Sequence, residues 1–268
     1  MDENKLLLAG LEDKYDRFLQ YNFMITSDFL NLQQQSAISV LVGSWRRSGA
    51  KVFFYGGYED AERRIVVFVP DYMEVVSEAE LTAYFNENPE DCPLVLLDMT
   101  YQSNTSAGGK TLSHRDYLGS LLGEGIRREK LGDILVRPKG AQAVVTREMG
   151  DYLETHYGKA GRVSLDVQVL PITRIDTAIS RRDTVKFTVS SPRLDSIVSG
   201  VFGLSRKDAQ EAISRGLVFV NEVETNKPDR QLAGGEKIVL RGKGKAIFKG
   251  TDGTSKKGKV YVILEKFV

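Results

Sequence analysis

The sequence predicts an α+β fold divided among several domains, and three observations carry that prediction. Apolar residues repeat at helical spacing through the first 50 residues and then give way to two strand-like runs. Between residues 94 and 167 the pattern alternates as strand, helix, strand, strand, helix, strand. From residue 191 onward two short helical patterns precede small strands, with arginines and lysines set between apolar positions.

In the first stretch Leu7, Leu8, Leu11, Tyr15, Phe18 and Leu19 recur every three to four residues. A second helical run carries Phe29, Leu32, Ile38, Leu41 and Val42, with Asp28 as a candidate cap. Val52-Phe53-Phe54-Tyr55 and Arg64-Ile65-Val66-Val67-Phe68-Val69 read as strands joined through Gly56-Gly57 and the acidic Glu59-Asp60-Ala61-Glu62. Pro70 stops the second. The expectation is a hairpin packed on the preceding helices. Leu81, Tyr84 and Phe85 among glutamates suggest an amphipathic helix before the Asn88-Pro89-Glu90 break, which completes a helical and hairpin domain over residues 1–90.

Residues 91–180 supply the alternating pattern. Leu94 to Leu97, Asp133 to Val136, Ala141 to Val145 and Val163 to Val167 are the strands, with Ser113 to Leu122 and Thr146 to Tyr157 as the helices. That order suits a four-stranded sheet with two helices on one face, the ferredoxin-like layout. RNA-recognition modules share it with many unrelated proteins, and no aromatic pair falls on the central strands, where stacking on bases requires one. The basic residues here are Arg115, Arg127, Arg128 and Lys130, beside a helix that Thr111 or Ser113 would cap. They suit phosphate contacts and equally suit a capped helix with a solvated basic loop.

Residues 171–190 connect to the last domain, 181–268, which Lys186-Phe187-Thr188-Val189 enters as a strand. Leu194, Ile197, Val198 and Val201 fall on one helical face and turn Arg193 and Asp195 toward its rim. Gly203 permits a turn, and Ser205 with Asp208 has capping-box spacing for a second helix that carries Ala209, Ala212 and Ile213 inward. Arg206, Lys207 and Arg215 are left for its polar faces. Gly216 ends that helix; Leu217 to Val220 and Lys237 to Leu240 are strands, with a tight turn at Asn221-Glu222. Arg241-Gly242-Lys243-Gly244-Lys245 reads as flexible, and residues 250–259, rich in glycine, serine and lysine, read as mobile until a ligand orders them. Val260 to Leu264 returns as a terminal strand.

Charge is distributed unevenly along the 268 residues. Residues 1–100 hold 8 basic and 17 acidic side chains, whereas residues 181–268 hold 18 basic and 10 acidic. A net charge of +1 therefore conceals a basic end suited to a polyanion and an acidic end suited to a protein partner. The single Cys92 forms no intrachain disulfide, and with only His114 and His156 beside it no zinc spacing arises, so no cofactor is expected. The thiol usage reads as cytoplasmic. No apolar run reaches membrane-spanning length and no leader-like segment opens the chain, so membrane insertion is not expected.

Several motifs invite catalytic readings that fail. Gly108-Gly109-Lys110-Thr111 lacks the first glycine of a phosphate loop, since Asn104 stands there. His114-Arg115-Asp116 lacks the partners of a kinase catalytic loop. Arg193-Leu194-Asp195 is like the triplet that bears the catalytic aspartate of some pseudouridine synthases, without their separate catalytic domain. Here Asp195 is expected to pair a neighbouring basic side chain or to cap locally.

Taken in order, Arg193-Leu194-Asp195, Leu204-Ser205-Arg206, Ala209-Gln210, Ile213, Gly216, Val218-x-Val220-Asn221, Lys227-Pro228 and Gly234-Gly235-Glu236 resemble the RNA-binding domain named after small-subunit ribosomal protein four, the S4-type domain. The resemblance implies that Arg193, Ser205, Arg206, Lys207 and Arg215 face structured RNA, with Asn221 and Lys227 near the same surface. Glu222 and Glu236 depart from the usual glycine and aspartate, and Glu222 puts an acid close to that surface. The bland alternative is an ion-pair ladder of Lys207, Glu211 and Arg215, spaced four apart. Over nearly the whole chain, Tyr55 to Arg64, His114 to Gly119, Gly132-Asp133-Ile134 and the C-terminal module resemble the YlmH family of Gram-positive bacteria. That resemblance implies an N-terminal domain, an RRM-like middle domain and a terminal RNA-binding domain. It also implies links to cell division and to rescue of stalled translation on large ribosomal subunits holding peptidyl-tRNA. The expectation is a non-enzymatic factor docking on ribosomal RNA or tRNA; an RNA-modifying enzyme and a cell-division adaptor are the alternatives.

Overall fold

Two runs of four apolar residues, Ile65–Phe68 and Leu94 to Leu97, are buried along their whole length. Strands of this kind need a layer on each face. In the computed structural model, which describes residues 3–101, 112–176 and 182–267, both are sandwiched in that way. The chain divides into two compact units, Met1–Ile179 and Ser180–Val268.

The first unit begins with α1 (Glu3–Tyr21), β1 (Ile25–Thr26), α2 (Leu32–Arg47), β2 (Val52–Tyr55), β3 (Ile65–Phe68) and α3 (Glu78–Glu87). β1, β3 and β2 form an antiparallel sheet in that order. Asn31, not Asp28, caps α2: its side chain accepts from the Gln34 amide while the Gln34 side chain accepts from the Asn31 amide. Asp28 instead meets the Lys130 ammonium at 2.6 Å. The helix starts late because Phe29 and Leu30 are tied through backbone bonds to Glu129 and Arg64.

The chain continues with β4 (Leu94–Thr100), α4 (His114–Gly123), β5 (Leu131–Arg137), β6 (Gly140–Thr146), α5 (Arg147–His156), a ribbon of β7 (Lys159–Ala160) and β8 (Val163–Ser164), and β9 (Asp166–Pro171). The four long strands pair antiparallel in the order β5-β6-β4-β9. The last sheet strand thus starts within the expected residues 163–167, at Asp166, and runs past them. Leu165 donates to the Gly158 carbonyl and folds that segment into the ribbon, and the strand proper runs on to Pro171, tolerated at a sheet edge.

Three apolar layers follow from strand alternation. Leu11, Phe18, Ile38 and Trp45 of α1 and α2 pack on Val66 and Phe68. Val67 and Ile65 face the other way, with Leu81 and Phe85 of α3, onto Leu94, Leu96 and Val144 of the four-stranded sheet. Val95, Leu97 and Val145 face Tyr117, Leu121 and Leu153 of α4 and α5. The hairpin therefore packs on the preceding helices with one face, as expected, and on the following sheet with the other, which was not. That second face is buried because both of its neighbours are apolar; the layer draws on residues either side of residue 90.

The second unit holds β10 (Arg182–Val189), α6 (Leu194–Phe202), α7 (Arg206–Ser214), β11 (Val218–Val220), β12 (Val223–Glu224), β13 (Lys237–Leu240), β14 (Gly244–Thr254) and β15 (Val260–Phe267). Its antiparallel sheet runs β10-β15-β14-β13-β11-β12. α6 and α7 cover one face through Leu194, Ile197, Val198, Ala209 and Ile213, packed on Val218, Ile238, Leu240, Phe248 and Leu264. Gly203 closes α6 in the left-handed conformation. Gly200 lets α6 approach β10, since a Cβ there would lie 2.2 Å from the Phe187 ring. The stretches read as flexible, 241–245 and 250–259, are largely ordered: β14 covers 244–254 and pairs with β15 through two bulges. The partner strand supplies the hydrogen bonds that glycine-rich composition alone does not promise.

Among the described residues no helix is long and apolar enough to cross a membrane.

Candidate nucleic-acid interface

In the second unit two of the predicted residues, Arg193 and Arg206, converge on one buried carboxylate. Asp195 follows the N-cap of α6 and is fully enclosed. Its Oδ1 accepts from Arg193 Nε at 3.2 Å and Ser196 Oγ at 3.3 Å; its Oδ2 accepts from Gln210 Nε2 at 2.8 Å, Arg206 Nε at 3.2 Å and Arg193 Nη2 at 3.3 Å. Burial pushes the Asp195 carboxyl up, but the hydrogen bonds from Gln210, Arg193 and Arg206, with the Arg206 charge, more than reverse this and hold it below its ordinary value. Asp195 is thus buried rather than turned to the rim. Its amide donates to the Pro228 carbonyl and Leu194 donates to that of Arg230, so the loop after β12 closes over it.

One carboxylate thereby fixes two guanidinium groups at the start of two helices. Arg193 stays one-third exposed and Arg206 59% exposed, so both remain presented to solvent while their Nε edges are held. Ser205 caps α7, its Oγ accepting from the Asp208 amide at 3.1 Å. Lys207 is exposed beside Arg206. Arg215 follows α7, loosely paired with Glu211 at 3.6 Å and 68% exposed, the Glu211–Arg215 step of the ladder anticipated from spacing. Lys227 is exposed on the loop whose Pro228 receives the Asp195 amide.

Asn221 acts on the backbone. With φ of 51° at Asn221 and 63° at Glu222, the turn between β11 and β12 uses left-handed residues, and the Asn221 Oδ1 accepts from the Lys237 amide at 2.9 Å. Glu222 lies 3.5 Å from the Lys237 ammonium, which offsets its charge. Glu236 accepts from the Ala233 amide and pairs with Arg230 at 2.6 Å.

The basic residues of the first unit separate into two groups. Arg115 is exposed on α4, and Arg127 is 69% exposed, paired with Glu129 at 3.2 Å. Arg128 donates to the carbonyls of Leu131 and Gly132, and Lys130 pairs with Asp28. Ser113 stands at the N-cap of α4 and its amide donates to Asp116. Thr111 and the Gly108-Gly109-Lys110-Thr111 run lie outside the described residues.

Sequence reasoning missed a second hub. Asp133 accepts from Tyr58 Oη at 2.8 Å and from the amides of Glu62 at 2.7 Å and Arg63 at 3.1 Å. Arg63 in turn donates to the carbonyls of Leu131, Phe29 and Arg128. Burial, with the neighbouring Arg128 charge, lowers the Arg63 guanidinium to about 10 despite Asp133 and Glu129. This lattice docks the hairpin onto the four-stranded sheet and covers the sheet face opposite α4 and α5. A sheet face used for stacking bases must be open, so this one is closed to that mode.

A family model described as "Putative RNA-binding domain in YlmH" matches residues 87–174. A Bacillus subtilis (strain 168) protein named "Ribosome-associated protein quality control protein P2" is 29% identical over 266 residues, 99% of this chain and 95% of that protein. A solved structure, "Cell division protein ylmH from Streptococcus pneumoniae", covers 66% of this chain and 96% of its own at 21% identity, with a TM-score of 0.47.

Proposed function

We propose, for this YlmH-like chain, a non-enzymatic RNA-binding factor of ribosome quality control that docks on ribosomal RNA or tRNA. In this reading it occupies large ribosomal subunits carrying stalled peptidyl-tRNA. Residues 1–90, 91–180 and 181–268 act as three modules, the middle one RRM-like in strand order and the last S4-type.

One observation carries the reading: Asp195 locks Arg193 and Arg206 side by side at the N-termini of α6 and α7. Guanidinium groups held by one edge keep the other for phosphate oxygens, and preorganisation lowers the entropy lost when they bind. Arg193, Arg206, Lys207, Arg215 and Lys227 supply the phosphate contacts; Ser205 and Asn221 position them. In the middle module Arg115 and Arg127 are the outward cations, while Arg128 and Lys130 hold their loop. RNA would meet this module at its edges and helices, because its second sheet face is covered by the hairpin. The acidic N-terminal module is left for a protein partner.

The test is RNA binding across a salt series with the intact chain and its R206Q/K207Q/R215Q variant. Each phosphate contact removed should reduce the slope of log affinity against log salt by about one, so the variant should lose about two to three. An affinity for tRNA or rRNA fragments that barely changes with salt, or a variant with the parental slope, refutes the interface.

A further inference from the structure

The sheet of the second unit has an outer face that α6 and α7 do not cover, and strand alternation writes a pattern on it. Val262 and Leu264 of β15 point into the core, so Tyr261, Glu265 and Phe267 point out. Phe267 is paired in register with Arg182 of β10, whose guanidinium lies 4.7 Å from the ring centroid; from β14 the Lys245 ammonium lies at the same 4.7 Å. Six residues along β15, Tyr261 carries the Lys186 ammonium 5.1 Å from its centroid. Between the two rings Glu265 holds Lys249 and Arg182, each at 3.3 Å. Asp252 holds Lys186 at 2.6 Å.

Four cations thus face two carboxylates on this surface. At the Tyr261 end the β14–β15 turn adds the exposed Lys256, Lys257 and Lys259. The track from Phe267 to the turn is about 20 Å long at strand spacing. It presents two aromatic rings flanked by positive charge along one line.

The geometry points to a second RNA surface here, one that takes a single-stranded, base-exposed segment: Arg182, Lys245 and Lys186 leave the ring faces for the phosphates, with Lys249 beside them, and Phe267 and Tyr261 then serve as stacking platforms. A sheet face with rings along one strand suits unstacked bases, whereas duplex RNA keeps its bases stacked inside and is met by phosphate contacts of the kind the helices offer. The α6/α7 edge and this face lie on opposite sides of one core, so the unit can hold a structured RNA and a single strand at once. This rests on the RNA-binding reading above and adds a partner class to it.

Fluorescence anisotropy of the full chain separates the two ideas. The probes are a labelled oligouridylate of about 12 nucleotides and a labelled RNA hairpin. K245Q/K249Q and, separately, Y261L/F267L should weaken oligouridylate binding by about tenfold or more. Both should leave hairpin binding within about twofold, since the sites are far apart. K207Q/R215Q should do the reverse. Circular dichroism melts confirm that each variant is folded; Lys249→Glu alone, at an exposed position, replaces any variant that is not. Unchanged oligouridylate affinity in the sheet-face variants, or an equal fall for both probes, overturns the second surface. Hairpin binding without oligouridylate binding by the parent overturns it while sparing the helical interface, and a parent that binds neither probe overturns both.

Discussion

Replacing Asp195 with Asn removes a charge without changing shape, and the structure sets the cost. The new amide can keep an oxygen toward Arg193 Nε and Ser196, but its NH2 group then faces Gln210 Nε2, Arg206 Nε and Arg193 Nη2, all donors. A hydrogen bond to a charged group contributes about 1.5–3 kcal/mol. Arg206 is 59% exposed and turns to water at little cost, and Gln210 can turn its amide over to offer Oε1, so the loss falls on the charge-assisted bonds from the one-third-exposed Arg193. The sum is about 2 kcal/mol, short of the roughly 3–5 expected for a fully buried pair. In a unit of this size that lowers the melting temperature by roughly 10 °C. The assay is hydrogen exchange read by mass spectrometry over residues 182–267, with urea unfolding of the intact chain. The pH dependence provides a second check. The folded carboxyl sits below its ordinary value of 3.8, so its contribution is present above that value and is lost as pH falls through the lower, folded one. The difference between parent and variant should be full at neutral pH and shrink below about pH 4. An unchanged unfolding midpoint, or a difference undiminished at about pH 2.5, refutes the account of Asp195 as the charged organiser of the site.

Asp133→Asn should destabilise the first unit by about 3 kcal/mol, because three donors from the Tyr58 to Arg63 segment converge on the carboxylate. Trp45 fluorescence in urea reads it, and a loss under about 1 kcal/mol contradicts the docking role. Cys92 is buried; burial pushes its thiol up despite the Leu94 amide, Tyr55 and Arg147. Native protein at about pH 8 should therefore resist thiol reagents until it unfolds, and rapid stoichiometric labelling of the folded chain would show the site to be open.

Much of the architecture was legible from local pattern. Helical spacing placed α2 and α6, and short continuous apolar runs placed β2, β3, β4 and β6, because these signals depend on neighbours within a few residues. The charge asymmetry and the run from Arg193 to Glu236 likewise pointed to one end of the chain. Alternation could also have exposed the outer sheet face, since Lys245-x-Ile247-x-Lys249 and Tyr261-x-Ile263-x-Glu265-x-Phe267 carry it. Reading residues 241–245 and 250–259 as flexible hid it.

The amino-acid order by itself determined most of the helices and the apolar strands, where glycine must turn the chain, and that the basic charge gathers after residue 180. Only the tertiary structure decided that Asp195 lies inside the fold with two arginines on it, that Asp133 clasps a hairpin some 70 positions earlier, and that one face of the middle sheet is closed. The reason is physical: propensity and periodicity act over one or two turns, whereas the burial of a carboxylate and the choice of its donors depend on which distant surfaces meet, and on whether those contacts repay the loss of water.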